Sequence, residues 1–157
     1  MTPAVKALKS LGVWHALHSY QHDANCQSYG EEAATLLGQD SRRVFKTLLV
    51  CEPERAKHLF VVLVPVAQKL DLKAAATALK CKKVEMADAG IVQKVTGYVV
   101  GGISPLGQRK KLPTVIDNSA QDHESIYISA GKRGLELELR PQDLAQALAA
   151  HFADIAK

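Results

Sequence analysis

Two short apolar runs, Val44–Val50 and Leu59–Val64, stand on either side of Glu52-Pro53-Glu54-Arg55, and no other part of the chain narrows the fold so far. Runs of this length, bounded by a proline-containing turn, read as strands. Their separation predicts a hairpin-like pair. Helix and strand signals intermix around them. Thr2 is an N-cap, Pro3 suits the first helical position, and Val5, Leu8 and Leu11 mark one face before Gly12. A strand is expected over Val13–Tyr20, and a helix over Gly30–Leu37 closed by Gly38. Asp71 caps an alanine-rich helix, Leu72–Leu79, and Asp88 caps another that runs through Val95. Tyr98-Val99-Val100, Thr114–Ile116, Ile126–Ser129 and Leu135–Leu139 read as further strands, and Pro141 opens a helix to about Ala150. With no strict βαβ alternation, long linker or internal repeat, the expected fold is α/β, of the α+β kind. It is one domain over residues 1–157, a single mixed and mostly antiparallel sheet flanked by helices.

The bulk composition excludes several classes. Apolar residues make up 47% and charged residues 23%, the balance of a folded globular chain. The longest apolar run, Leu59–Val64, is far too short to span a membrane, so no membrane partner is expected. Met1-Thr2-Pro3-Ala4 enters an amphipathic pattern directly, which predicts no signal peptide. The cysteines, Cys26, Cys51 and Cys81, are odd in number and lack C-x-x-C spacing, pointing to reduced thiols in a cytoplasm. A net charge of +4 permits an anionic partner without requiring one.

Chemistry concentrates in glycine. Thr96 to Gly107 contains four glycines and a Ser-Pro pair, and reads as a rigid loop presenting backbone N–H groups. A tight connection needing glycine for its turns would look the same. A second glycine loop, Ser129-Ala130-Gly131-Lys132-Arg133-Gly134, lies between two strands with cations beside it. Two such loops at strand ends could meet around one site, donating to a carbonyl oxygen or a phosphate; each alone could be a solvated basic turn. Lys46 shares a strand face with Val44, Leu48 and Val50, so its ammonium either snorkels to the sheet edge or faces a pocket. Thr47 points to the opposite face.

Other motifs fail. Gly102–Gly107 spells G-x-x-x-x-G, but Gln108-Arg109 replaces the Lys-Ser/Thr of a P-loop. Ser129–Lys132 spells S-x-x-K without its partner motifs. His15, His18 and His22 have no Cys/His cluster to complete a metal site, and the cysteines read as small buried hydrophobes. Neither a metal nor a cofactor is expected.

The strings Phe45-Lys46-Thr47-Leu48-Leu49-Val50, Lys83-Val84-Glu85-Met86-Ala87, Thr96 through Gly107 and Gly131-Lys132-Arg133-Gly134 closely resemble the YbaK/EbsC family of aminoacyl-tRNA deacylases. The resemblance runs from Thr2 to the end and implies the fold of the editing domain inserted in bacterial prolyl-tRNA synthetases. It implies a trans-editing hydrolase that clears cysteine from Cys-tRNA(Pro), by attack of the substrate's own thiol on its ester to release a thiolactone. The substrate is then the acceptor end of tRNA(Pro), with prolyl-tRNA synthetase as an implied partner. By position, Lys46 would be the catalytic residue holding the aminoacyl-adenosine end, and backbone at Gly101 and Gly102 would orient the aminoacyl group. Tyr20, Tyr29, Thr47, Ser129, Gly131 and Glu136 would complete the substrate pocket. Tyr29, Ala130 and Glu136 stand where the family pattern has phenylalanine, glycine and aspartate.

Two other functions fit the same residues. One is a deacylase for another small amino acid such as alanine, which lacks a thiol and would need an activated water. The other is a non-catalytic tRNA- or nucleotide-binding module. The modest positive charge favours borrowing tRNA selectivity from the synthetase over gripping the whole tRNA.

Overall fold

The computed structural model describes residues 1–157. Its first helix, α1 (Pro3–Leu11), begins where Thr2 accepts a hydrogen bond from the Val5 N–H and ends where Gly12 takes φ +69°. The Thr2 hydroxyl also donates to the Ala130 carbonyl, pinning this helix to the sheet beneath it. There follow β1 (His15–Ser19), α2 (Tyr29–Leu37), β2 (Phe45–Cys51), β3 (Leu59–Pro65) and α3 (Leu72–Ala78). The Asp71 carboxylate caps α3, accepting from the Lys73 and Ala74 N–H groups at 3.1 Å each. Next come β4 (Glu85–Met86) and α4 (Ala89–Thr96), then β5 (Thr114–Asp117) and a 3₁₀ turn over Asn118–Asp122. The chain closes with β6 (Ile126–Lys132), β7 (Leu135–Leu139), α5 (Pro141–Leu148) and β8 (His151–Ala153).

The predicted hairpin-like pair is antiparallel, in register from Phe45–Pro65 to Cys51–Leu59. It is the centre of a five-stranded sheet ordered β4-β2-β3-β5-β8, in which β3–β5 and β5–β8 are parallel. The remaining strands form a second, antiparallel sheet ordered β1-β7-β6. The mixed α/β class thus holds, but the strands divide over two sheets instead of one. They meet at a bridge between Val44 and Tyr127, with the Tyr127 N–H donating to the Arg43 carbonyl. The main core lies between the sheets, where Phe45, Leu49, Val61, Leu63 and Ile116 face Ile126, Ile128, Leu137 and Leu139, with Val5 and Leu8 of α1 alongside. The far face of the larger sheet, through Val50, Val62, Val64 and Val115, is covered by Ala75 and Ala76 of α3. Burial on both faces explains why β3 is apolar throughout.

Two segments depart from expectation. Tyr98-Val99-Val100 is not a strand. Gly97, at φ +82°, turns the chain out of α4, and Tyr98 drops into the core with its hydroxyl donating to the Leu106 carbonyl at 2.6 Å. The glycine stretch therefore closes on itself instead of leaving a strand end. The second glycine segment is mostly strand: β6 continues through a bulge to Lys132, leaving only Arg133-Gly134 as the turn. The short strands β4 and β8 and the 3₁₀ turn carried no periodic signal. No helix is long and apolar enough to cross a membrane.

Candidate functional site

Where α2, β2, α4, the glycine loop and the β6–β7 hairpin converge, they enclose a cavity of about 440 Å³. That is within the ordinary range for a small-ligand site. Tyr20, Tyr29, Lys46, Thr47, Gly101, Ser129 and Glu136 all line it, together with Phe45, Val66, Met86, Val92 and Ile103 as an apolar wall. Gly102 and Gly131 do not line it.

Lys46 is partly buried on β2, opposite Val64 of β3, and no carboxylate lies within ion-pair distance of it. Burial lowers its pKa, against a smaller upward pull from Glu31. A cation held without a counter-ion in a cavity is available to an anionic ligand group. Thr47 also reaches the cavity, although it alternates with Lys46 along the strand. Its hydroxyl oxygen is fully buried and has no hydrogen-bond partner. An unmet buried hydroxyl costs stability unless a ligand satisfies it.

Glu136 on β7 is only 5% exposed, pairs in register with Ser129 of β6 and His18 of β1, and makes no hydrogen bond or ion pair. Desolvation pushes its carboxyl up to about 8, so it is protonated at neutral pH. Two residues along the same strand face, Glu138 meets the opposite environment. Its carboxylate accepts from Ser125 and His18 at 2.5 and 2.9 Å and lies 3.7 Å from Arg43. Partial burial raises its pKa, but those hydrogen bonds outweigh that and hold it below the usual carboxylate range.

The glycines shape the site in different ways. Gly101 has φ +92°, and a Cβ there would press on the Arg133 guanidinium and the Tyr29 ring, at 2.6 and 3.0 Å. Gly102 lets the loop touch the β6–β7 turn: a Cβ would sit 2.8 Å from the Lys132 Cα and 2.9 Å from the Arg133 nitrogen. Gly131 (φ +102°) makes room instead for Tyr98. Its N–H donates to the Ser129 hydroxyl at 3.2 Å.

Arg133 ties these parts together. Its guanidinium donates to the Val100 carbonyl, 2.9 Å from Nε, and lies 4.6 Å from the centre of the Tyr29 ring. One side chain thus fixes the glycine loop, the start of α2 and the hairpin turn. The sequence marks Lys132 and Arg133 only as two adjacent cations, and which one turns inward depends on the bulge that precedes them. The three histidines do not converge. His15 bonds the Val13 carbonyl, His18 bonds Glu138, and His22 bonds Glu32 at 2.6 Å. No cysteine lines the cavity, and all three are free thiols.

Residues 23–147, most of the chain, match the family described as the aminoacyl-tRNA editing domain. The chain belongs to that family. Membership makes it an aminoacyl-tRNA deacylase, an enzyme that cleaves the ester between an amino acid and tRNA. It is 39% identical over 125 residues to EbsC of Enterococcus faecalis (strain ATCC 700802 / V583), a candidate Cys-tRNA(Pro)/Cys-tRNA(Cys) deacylase, covering 80% of this chain and 75% of that protein. Among solved structures, the hypothetical protein APE2540 superimposes with a TM-score of 0.87 at 27% identity, covering 99% of this chain and all of that one. A candidate trans-editing enzyme for prolyl-tRNA synthetase superimposes at 0.81 with 19% identity, covering 100% and 99% of the two chains. The latter likeness concerns the fold alone.

Proposed function

We propose that this chain, acting as one editing domain over residues 1–157, removes cysteine from Cys-tRNA(Pro), with the thiol of the substrate as nucleophile. The observation that carries the reading is what furnishes the cavity. It holds an unpaired ammonium at Lys46, an uncharged carboxyl at Glu136 and the unpaired Thr47 hydroxyl, but no cysteine. The Ser129 hydroxyl is turned to the Gly131 N–H and has no histidine beside it to activate it. Such a site supplies placement and electrostatics but no side-chain nucleophile, which leaves the substrate or water to bring one. A cysteinyl ester brings one. The name of the Enterococcus relative points to the same amino acid.

In this reading the Lys46 ammonium holds the terminal aminoacyl-adenosine, and backbone at Gly101 and Gly102 orients the ester. Tyr20, Tyr29, Thr47, Ser129, Gly131 and Glu136 bound the pocket or brace it. Prolyl-tRNA synthetase supplies the choice of tRNA(Pro), since a net charge of +4 is small for a protein that grips a whole tRNA unaided. Hydrolysis assayed on Cys-, Ala-, Ser- and Pro-tRNA(Pro), with and without the synthetase, tests the reading. Cleavage of the cysteinyl ester alone is expected, and preference for alanyl-tRNA would replace it with a water-dependent deacylase.

A further inference from the structure

We propose that the Glu136 carboxyl is the general acid that protonates the ribose oxygen leaving the cleaved ester. This inference rests on the deacylase reading above. Glu136 is 5% exposed, opens onto the cavity and has no partner, whereas Glu138 on the same strand is fully engaged. A buried carboxyl that opens onto the cavity with no hydrogen-bond or ion-pair partner is placed to keep its proton for transfer to a bound group. The titratable groups around Glu136 are His18 on β1, Tyr20 just beyond that strand, Glu138 on its own strand, and Lys46 of β2 and Glu31 of α2 across the cavity. None of them is ion-paired or hydrogen-bonded to it. Burial raises the Tyr20 phenol above its ordinary value, which leaves it a poor proton donor at neutral pH.

The step balances without a further reactant. The thiolate sulfur of the substrate attacks the ester carbon, the carbon–sulfur bond forms, and the carbon–oxygen bond to the ribose breaks. The departing oxygen takes the Glu136 proton, leaving a carboxylate. The thiol proton has passed to water, and Glu136 recovers one from water as the site empties. Water then opens the thiolactone, and the sum is ester hydrolysis.

Single-turnover deacylation of Cys-tRNA(Pro) across pH 5.5–9.5 tests this in the natural protein, Glu136→Gln and Glu136→Asp, with melting curves confirming that each is folded. The rate of the natural protein should rise with pH as thiolate forms, then fall once Glu136 loses its proton. Gln keeps the shape and hydrogen bonding but has no proton to give. It should lower the maximal rate about 10²–10⁴-fold, abolish the falling limb and leave the half-saturating concentration nearly unchanged. Asp should restore part of the rate and the limb. Weaker binding with an unaltered maximal rate and pH profile would overturn the proposal, leaving Glu136 a binding group only. Absence of deacylation by the natural protein would overturn the deacylase reading itself, and the proposal with it.

Discussion

Glu136→Gln should stabilise the protein at neutral pH, by an amount that grows as the pH rises. Burial lifts the carboxyl from an ordinary 4.5 to about 8, so between those values the unfolded chain releases a proton that the folded chain retains. Stability of the natural protein therefore falls as pH rises through this window, and glutamine removes the penalty. Below the window both side chains are neutral and the two proteins should melt together. From pH 4.5 to 7 the penalty accumulates at about 1.4 kcal/mol per pH unit, giving about 3 kcal/mol as an upper limit. For a chain of this size each kcal/mol moves the melting temperature by about 2–4 °C. Water entering the cavity reduces the full effect, so a gain of about 3–10 °C at pH 7 is expected. Circular dichroism melts of both proteins at pH 5, 6, 7 and 8, at fixed ionic strength, measure the difference directly. A difference that stays flat would mean that Glu136 titrates as an ordinary carboxyl, and one that favours the natural protein increasingly with pH would mean that it is ionised and held by a partner; either result would overturn a neutral, buried Glu136.

Lys46→Ala should lower deacylation about 10²-fold or more with an unchanged melting curve, since its ammonium has no partner in the fold to lose. Lys46→Arg should not rescue, because a planar fork does not fit an ammonium's place; full activity in the alanine variant would return Lys46 to a snorkelling role. Gly102→Ala should destabilise by about 1–3 kcal/mol and reduce activity, since its Cβ would meet backbone atoms of the β6–β7 turn at 2.8–2.9 Å that cannot rotate away; denaturant unfolding reads the first effect. A protein with Cys26, Cys51 and Cys81 all replaced by Ser or Ala should still deacylate Cys-tRNA(Pro), because none of them lines the cavity. A folded but inactive triple variant would place the nucleophile on the protein.

How much was legible depended on how local each signal is. Helix caps at Thr2, Asp71 and Asp88 and the αL stops at Gly12 and Gly38 act within one turn of chain, and those helices form where their residues say. The β2–β3 pair was legible for the same reason, a turn between two apolar runs. The division into two sheets was not, because it depends on Val44 meeting Tyr127 across a long stretch of sequence. Tyr98-Val99-Val100 looks like a strand by composition, yet Gly97 and the Tyr98–Leu106 hydrogen bond bend it into a loop. At the site, residue types and family strings singled out seven positions that line the cavity and two, Gly102 and Gly131, that do not. They could not show that Gly102 and Gly131 work by close packing, nor that Arg133 clasps Val100. The protonation of Glu136 was equally hidden, since a carboxyl's charge is set by what surrounds it and not by its neighbours in sequence.

In the proposed mechanism this cavity hydrolyses cysteinyl-tRNA because the substrate carries its own nucleophile. Comparing Cys-tRNA(Pro) with Ser-tRNA(Pro), which differ by one sulfur for one oxygen, tests it most directly. The free thiol is a few per cent ionised at neutral pH, for a pKa near 8.5, and tethering beside its ester can be worth about 7–11 kcal/mol; the serine hydroxyl is essentially never ionised. Rapid loss of the cysteinyl ester is expected, with the seryl ester lost little faster than by spontaneous hydrolysis. Equal enzyme-catalysed rates on the two would contradict it.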